Sequence, residues 1–166
     1  MLIIQPYFSK MFKPIPLNLP QYPFKLSQKD DVVFIFDELR KKDLVLTPEE
    51  WVRQHFVKYL IIQKKYPKTL IKLEGGLKLN KLQKRTDILI FDRAGEPIIL
   101  VECKATSVKI DQKVFDQAAS YNMIHKVKFL VVSNGLKHYC CVLNYETNSY
   151  QFLEELPEFT PNIIDF

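Results

Sequence analysis

Eighteen residues decide the fold: Asp87-Ile88-Leu89-Ile90-Phe91-Asp92-Arg93-Ala94-Gly95-Glu96-Pro97-Ile98-Ile99-Leu100-Val101-Glu102-Cys103-Lys104. The unbroken apolar run 98–101 is the pattern of a central strand covered on both faces. Asp92-Arg93-Ala94-Gly95 reads as a turn that folds the strand beginning at Asp87 back along it as a hairpin. Residues i and i+2 of a strand share a face, so Glu102 and Lys104 project side by side from the end of a buried element. The short loop allows the Asp87 carboxylate to lie near that of Glu102. Two carboxylates with an ammonium neighbour offer hard oxygen ligands for Mg²⁺ and a lysine to hold or deprotonate a water. The alternative is a Glu–Lys ion pair at a solvated strand tip, with Asp87 an ordinary strand-end residue.

Working outward, Thr47-Pro48-Glu49-Glu50 is a helix start, with an N-cap threonine, proline at the first helical position and a glutamate at the third. Val52, Phe56, Tyr59 and Leu60 continue at helical spacing until Tyr66-Pro67. Strand-like runs follow at 69–73, 76–79, 87–91 and 98–104, then a second helix over 112–125. Further strands are expected at 129–133 and 139–145, with an edge strand at 149–152. This order predicts an α/β fold with a mixed central sheet flanked by helices. With Val52 at zero, a 100° step puts Glu49 at about +60°, beside the core stripe, and Glu50 at about +160°, turned away. Glu49 is therefore the better candidate to reach the sheet. The competing reading makes both acids complements to the helix dipole.

The first 30 residues carry five of the ten prolines, interleaved with aromatic residues, and read as an extended arm packed on a surface. Residues 31–36 read as a short strand or helix start, and 37–43 as a polar connection. The organisation expected is thus an arm and connector over 1–46, a core over 47–156 and a tail over 157–166.

The chain has 166 residues, 47% of them hydrophobic and 26% charged, enough for one core of ordinary size. No apolar run approaches the roughly 18 residues of a membrane span, and the first residues lack a signal-peptide pattern. A cytoplasmic protein is expected. Three cysteines without a CxxC pair, and scattered histidines, give no disulfide framework and no zinc site. His55 and Trp51 read as packing residues. The net charge of +5 favours a polyanionic partner.

Asp87, fourteen intervening residues and Glu102-x-Lys104 resemble the PD-(D/E)xK nuclease superfamily, with Thr86-Asp87 in place of Pro-Asp. Gln117-x-x-x-Tyr121 matches the extra motif of its RecB-like branch. Together with Thr47-Pro48-Glu49-Glu50-x-Val52-Arg53, Lys84-Arg85-x-Asp87, Tyr121-Asn122 and Ser133-Asn134-Gly135, the set is similar to the N-terminal nuclease domain of type I restriction-enzyme restriction subunits over about residues 40–145. The resemblance implies a restriction-endonuclease-like core and Mg²⁺- or Mn²⁺-dependent hydrolysis of DNA, in restriction or DNA processing. It implies metal binding by Asp87, Glu102 and the Cys103 carbonyl, with Lys104 acting on the attacking water. Gln117 and Glu49 would complete the catalytic set, and Lys84, Arg85 and Tyr121 would contact DNA. These 166 residues contain no GxxxxGK[ST] motif, so a motor or specificity subunit would act in trans. Two other classes stay open: a nucleic-acid-binding module with a vestigial site, and a complex-forming subunit using its aromatic arm.

Gln117 and Tyr121, spaced i and i+4, share a helix face with Val114 and Ala118. That face is expected to pack on the sheet carrying Glu102, with the Gln117 amide hydrogen-bonded at the site.

Overall fold

A computed structural model describes residues 13–75 and 86–161, without the side chains of residues 74, 75, 120, 121, 123 and 124. The expected strand at 76–79 lies outside the described residues, as do Lys84 and Arg85.

The main sheet is mixed and six-stranded. Its strands run in spatial order β4 (Ile71–Gly75), β5 (Thr86–Phe91), β6 (Pro97–Cys103), β7 (Phe129–Ser133), β8 (His138–Asn144) and β9 (Ser149–Leu153). All neighbours are antiparallel except β6 and β7, which are parallel and joined through a helix. The helices are α1 (Pro48–Ile62) and α2 (Gln112–His125).

Side-chain alternation explains why the central strands read as unbroken apolar runs. Ile88, Ile90, Ile99, Val101 and Val131 join Val52, Phe56 and Leu60 of α1 in one core. Leu89, Leu100, Leu130 and Val132 join Phe115 and Ala118 of α2 in the other. The sheet is therefore sandwiched between two helices, and the α/β expectation holds.

Helix boundaries follow local chemistry. Thr47 Oγ1 accepts the Glu50 N–H at 3.0 Å, and Asp111 Oδ1 accepts the Val114 N–H at 3.1 Å. Helix α2 ends at Lys126, in the left-handed conformation. The buried Asn122 accepts the Val127 N–H at 2.8 Å and donates to the Tyr145 hydroxyl at 2.6 Å, tying the end of α2 to β8 and the turn after it.

The region preceding α1 departs from expectation. Where a short strand or helix start and a polar connection are expected, β1 (Leu26–Lys29), β2 (Val32–Asp37) and β3 (Lys42–Val45) form a separate antiparallel sheet. Its turns use left-handed Asp30, Asp31 and Lys41 in place of glycine, which hid them from a reading based on glycine and proline.

Residues 13–25 are extended and packed, as the proline spacing predicts. Trp51 donates its indole N–H to the Ile15 carbonyl at 2.9 Å, while Phe24 and His55 stack around it. Asn18 donates its backbone N–H to the Gly135 carbonyl at 2.8 Å, and its own carbonyl meets His138 Nε2 at 2.8 Å. Gly135 has φ +82°, and a Cβ there would lie 2.8 Å from Leu17 and 3.0 Å from Val52. Gly135→Ala should therefore cost on the order of 1–3 kcal/mol in chemical denaturation, from backbone strain alone before any clash. A variant as stable as the parent would show that the turn does not require the left-handed conformation of Gly135.

Candidate active site

The hairpin does what its sequence predicts. The β5–β6 register sets Ile88 opposite Val101 and Leu89 opposite Leu100, and its continuation puts Asp87 directly opposite Glu102. Directly opposed residues have Cβ atoms about 4.5–5.5 Å apart. Asp87 Oδ2 accepts the Cys103 backbone N–H at 2.6 Å, which pins the carboxylate over the end of β6. Lys104 Nζ lies 2.7 Å from Glu102 Oε1. The other oxygen of Glu102, Oε2, is buried and has no hydrogen-bond partner among the described residues.

Lys104 is held by the turn after β7. Its N–H donates to the Ser133 carbonyl at 2.8 Å, and Asn134 Nδ2 donates to the Val108 carbonyl at 2.8 Å, closing the loop that Lys104 begins. Asn134 Oδ1 in turn accepts the N–H groups of Leu136 and Lys137. The Ser133-Asn134-Gly135 motif thus builds the scaffold beneath the lysine.

Helix α1 supplies the rest. Arg53 Nη2 donates to Asp87 Oδ1 at 2.7 Å and to Glu49 Oε1 at 3.0 Å, and its Nη1 pairs with Glu50. Glu50 also accepts from Arg40 at 3.0 Å and from Gln54 at 2.8 Å, and both donors bond Asp37, at 2.7 and 2.8 Å. The placement of Glu50 corrects the helical-wheel reading. It is buried, because the small sheet covers the flank of α1 that the wheel leaves facing solvent. Glu49, whose side chain is 45% exposed, is nonetheless the glutamate that feels the charges of Asp87 and Lys104.

Sequence reasoning singled out neither Arg53 nor the Asp37–Arg40 pair as part of this cluster. The available signal was an arginine placed i+3 and i+4 after two glutamates, beside an apolar stripe. Gln117 is also placed differently from expectation. It is exposed on α2, whose packing face is Phe115, Ala118 and Asn122, so no buried-amide cost constrains it. The backbone of Tyr121 belongs to α2, and its side chain lies outside the described residues. Trp51 and the buried His55 pack against the arm, as expected.

Residues 48–157 match the family model described as type I restriction enzyme R protein N terminus (HSDR_N). The chain belongs to this family. A solved fragment assigned to an HsdR subunit of a type I restriction enzyme from Vibrio vulnificus YJ016 is similar at 24% identity and a TM-score of 0.48. The alignment covers 68% of this chain and 24% of that one, so this chain spans about a quarter of that relative's length. Comparison with curated proteins gives no match. The architecture is α/β, with a mixed six-stranded sheet between two helices. No described helix is long and apolar enough to cross a membrane.

The donor set fits a small divalent cation. Among the described residues no three His, Cys, Asp or Glu side chains are grouped to enclose a metal. Mg²⁺ does not require that, because it is held by one or two carboxylates and keeps several waters. Asp87, Glu102 and the Cys103 carbonyl supply oxygen donors only, and Glu102 Oε2 is a buried acceptor with no hydrogen-bond partner among the described residues. Among the described residues, the carboxylates of Asp37, Glu49, Glu50, Asp87 and Glu102 outnumber the three cations Arg40, Arg53 and Lys104 that pair with them. The excess is negative.

That excess moves the carboxyl groups. Burial, then the charge of Asp87, lifts Glu102 to about 7 despite its bond to Lys104. Burial and Asp87 likewise raise Glu49. Burial works to lower Lys104, but the Glu102 hydrogen bond and charge prevail and keep it an ammonium.

Folded protein therefore retains a proton on Glu102 where the unfolded chain, titrating near 4.5, has released it. Stability falls as pH rises through that window, by on the order of 3 kcal/mol from this group, and levels off above it. Denaturation of the metal-free protein at about pH 5 and pH 7.5 should show this loss, with Glu102→Gln flattening it. An equal slope in the variant would place the titration elsewhere.

Proposed function

We propose that this chain hydrolyses DNA phosphodiester bonds with Mg²⁺ or Mn²⁺ held by Asp87, Glu102 and the Cys103 carbonyl. The observation that carries this reading is Asp87 opposed to Glu102 across the hairpin, with Lys104 on one oxygen of Glu102 and the other oxygen unpartnered among the described residues. Family membership supports a restriction-related, nuclease-like domain.

A bound dication lowers the pKa of a coordinated water and offsets charge developing on the phosphate. The protein's own groups do the rest. Lys104, kept cationic by Glu102, orients the attacking water as a hydrogen-bond donor and does not abstract its proton. Glu49, half-exposed and raised by burial and by Asp87, would receive that proton. Arg85 and Lys84, close in sequence to Asp87, would contact the DNA together with Tyr121. Gln117 receives no step, since it is exposed on α2. A motor or specificity subunit acting in trans would be a partner.

A second reading, a complex-forming subunit, draws on Tyr145, Tyr150 and Phe152. These residues are about half exposed at the open edge of the sheet.

Incubation with Mg²⁺ or Mn²⁺ and a panel of linear, circular and branched DNAs tests the nuclease reading. Cleavage is expected with metal and none with chelator. Lys104→Ala should slow cleavage roughly 100-fold or more while sparing metal binding, because lysine is no ligand. Asp87→Asn should weaken both, because it removes an anionic ligand. Parental cleavage by Lys104→Ala would overturn the assignment.

A further inference from the structure

We propose that Arg53 is a positioning residue for Asp87, itself locked in place by Asp37 and Arg40 of the small N-terminal sheet, so that this sheet forms part of the active site's construction. The inference rests on the nuclease reading above, and it adds residues that precede the family-matched region, which begins at residue 48.

The geometry is a continuous chain of bonds. Asp37, at the end of β2, accepts from Arg40 Nε at 2.7 Å and from Gln54 Nε2 at 2.8 Å. It also accepts the N–H groups of Leu39 and Arg40, at 2.9 and 2.7 Å, which fixes the turn holding Arg40. Arg40 Nη2 reaches Glu50 at 3.0 Å, Glu50 grips Arg53 Nη1, and Arg53 Nη2 grips Asp87 Oδ1. Asp37, Glu50, Arg53 and Asp87 are all buried.

A planar guanidinium can hold two carboxylates in one fixed relation, which a flexible ammonium cannot. With Cys103 N–H on Oδ2 and Arg53 on Oδ1, Asp87 has both oxygens fixed before any cation arrives. Such outer partners of a metal ligand are typically worth roughly 10–100-fold in metal affinity.

A purely structural role for the network makes an opposite prediction. Arg53 is a positive charge beside the metal ligands, so by Coulomb's law alone its neutralisation should tighten cation binding. Loss of positioning should weaken it.

Calorimetric titration of the full chain with MnCl₂, paired with thermal unfolding, separates the two. Arg53→Lys and Arg53→Gln are expected to bind Mn²⁺ at least roughly tenfold more weakly in protein that is still folded. Both should lower kcat on DNA with little change in KM. Arg40→Gln, two links away and partly exposed, should shift Mn²⁺ binding in the same direction by a smaller factor.

Unchanged or tighter Mn²⁺ binding by folded Arg53→Gln would overturn the proposal, whatever the melting temperature. If neither Arg53 variant folds, Arg40→Gln decides: parental Mn²⁺ affinity there would overturn it equally. Parental protein that neither binds Mn²⁺ nor cleaves DNA would defeat the underlying nuclease reading. That result differs from a parent that binds while its variants bind equally well.

Discussion

A guanidinium buried among carboxylates is the constraint on which the rest depends. Arg53 sits in α1 with Glu50 and Asp87 on its two terminal nitrogens and Glu49 sharing one of them. Burying such charges costs several kcal/mol each unless their hydrogen bonds are made, and removing one partner leaves the others uncompensated. The requirement dictates where elements go. Helix α1 must cross the sheet with its first turns over the Asp87–Glu102 end, and the small sheet must close over Glu50. The apolar stripe Val52, Phe56 and Leu60 supplies the adhesion. Burying that stripe does not by itself fix how far along the sheet the helix sits, whereas the ion pairs do.

The site is asymmetric in its satisfaction. Asp87 is fully engaged, by Arg53 and by the Cys103 N–H, whereas Glu102 has one oxygen on Lys104 and the other without a partner among the described residues. A fold that fixes one carboxylate and leaves a buried acceptor on its neighbour forgoes stability there, as functional sites commonly do. Lys104 stands on the Ser133-Asn134-Gly135 turn, which also receives the N-terminal arm. Three sequence-distant segments therefore converge on one end of the sheet.

Much of this was legible in the sequence because the relevant signals are local. Residues 129–133 and 112–125 match β7 and α2 to the residue, since a short apolar run and a helical stretch are local patterns that need no tertiary information. The pairing of Asp87 with Glu102 followed from one turn of known length. What escaped depends on elements far apart in sequence. Glu50 reads as solvent-facing on a helical wheel, and only the packing of Asp37 and Arg40 against that flank makes it buried. The three-stranded sheet was missed because its strands are short and its turns use aspartate and lysine at positive φ. Gln117 was expected to pack because Ala118 does, yet adjacent helical positions lie about 100° apart, enough to place one on the core and the other in solvent. The family assignment covers the region from α1 onward, so the contribution of the preceding sheet is visible only in three dimensions.

The central claim is that Asp87 and Glu102 form one cation site built on Arg53. A crystal of the full chain soaked in Mn²⁺ and measured at the manganese absorption edge tests it most directly. The account predicts one anomalous peak per chain, between the Asp87 carboxylate and Glu102 Oε2, with Arg53 still bonded to Asp87. A peak elsewhere, or no peak with the Lys104–Glu102 pair undisturbed, would contradict it.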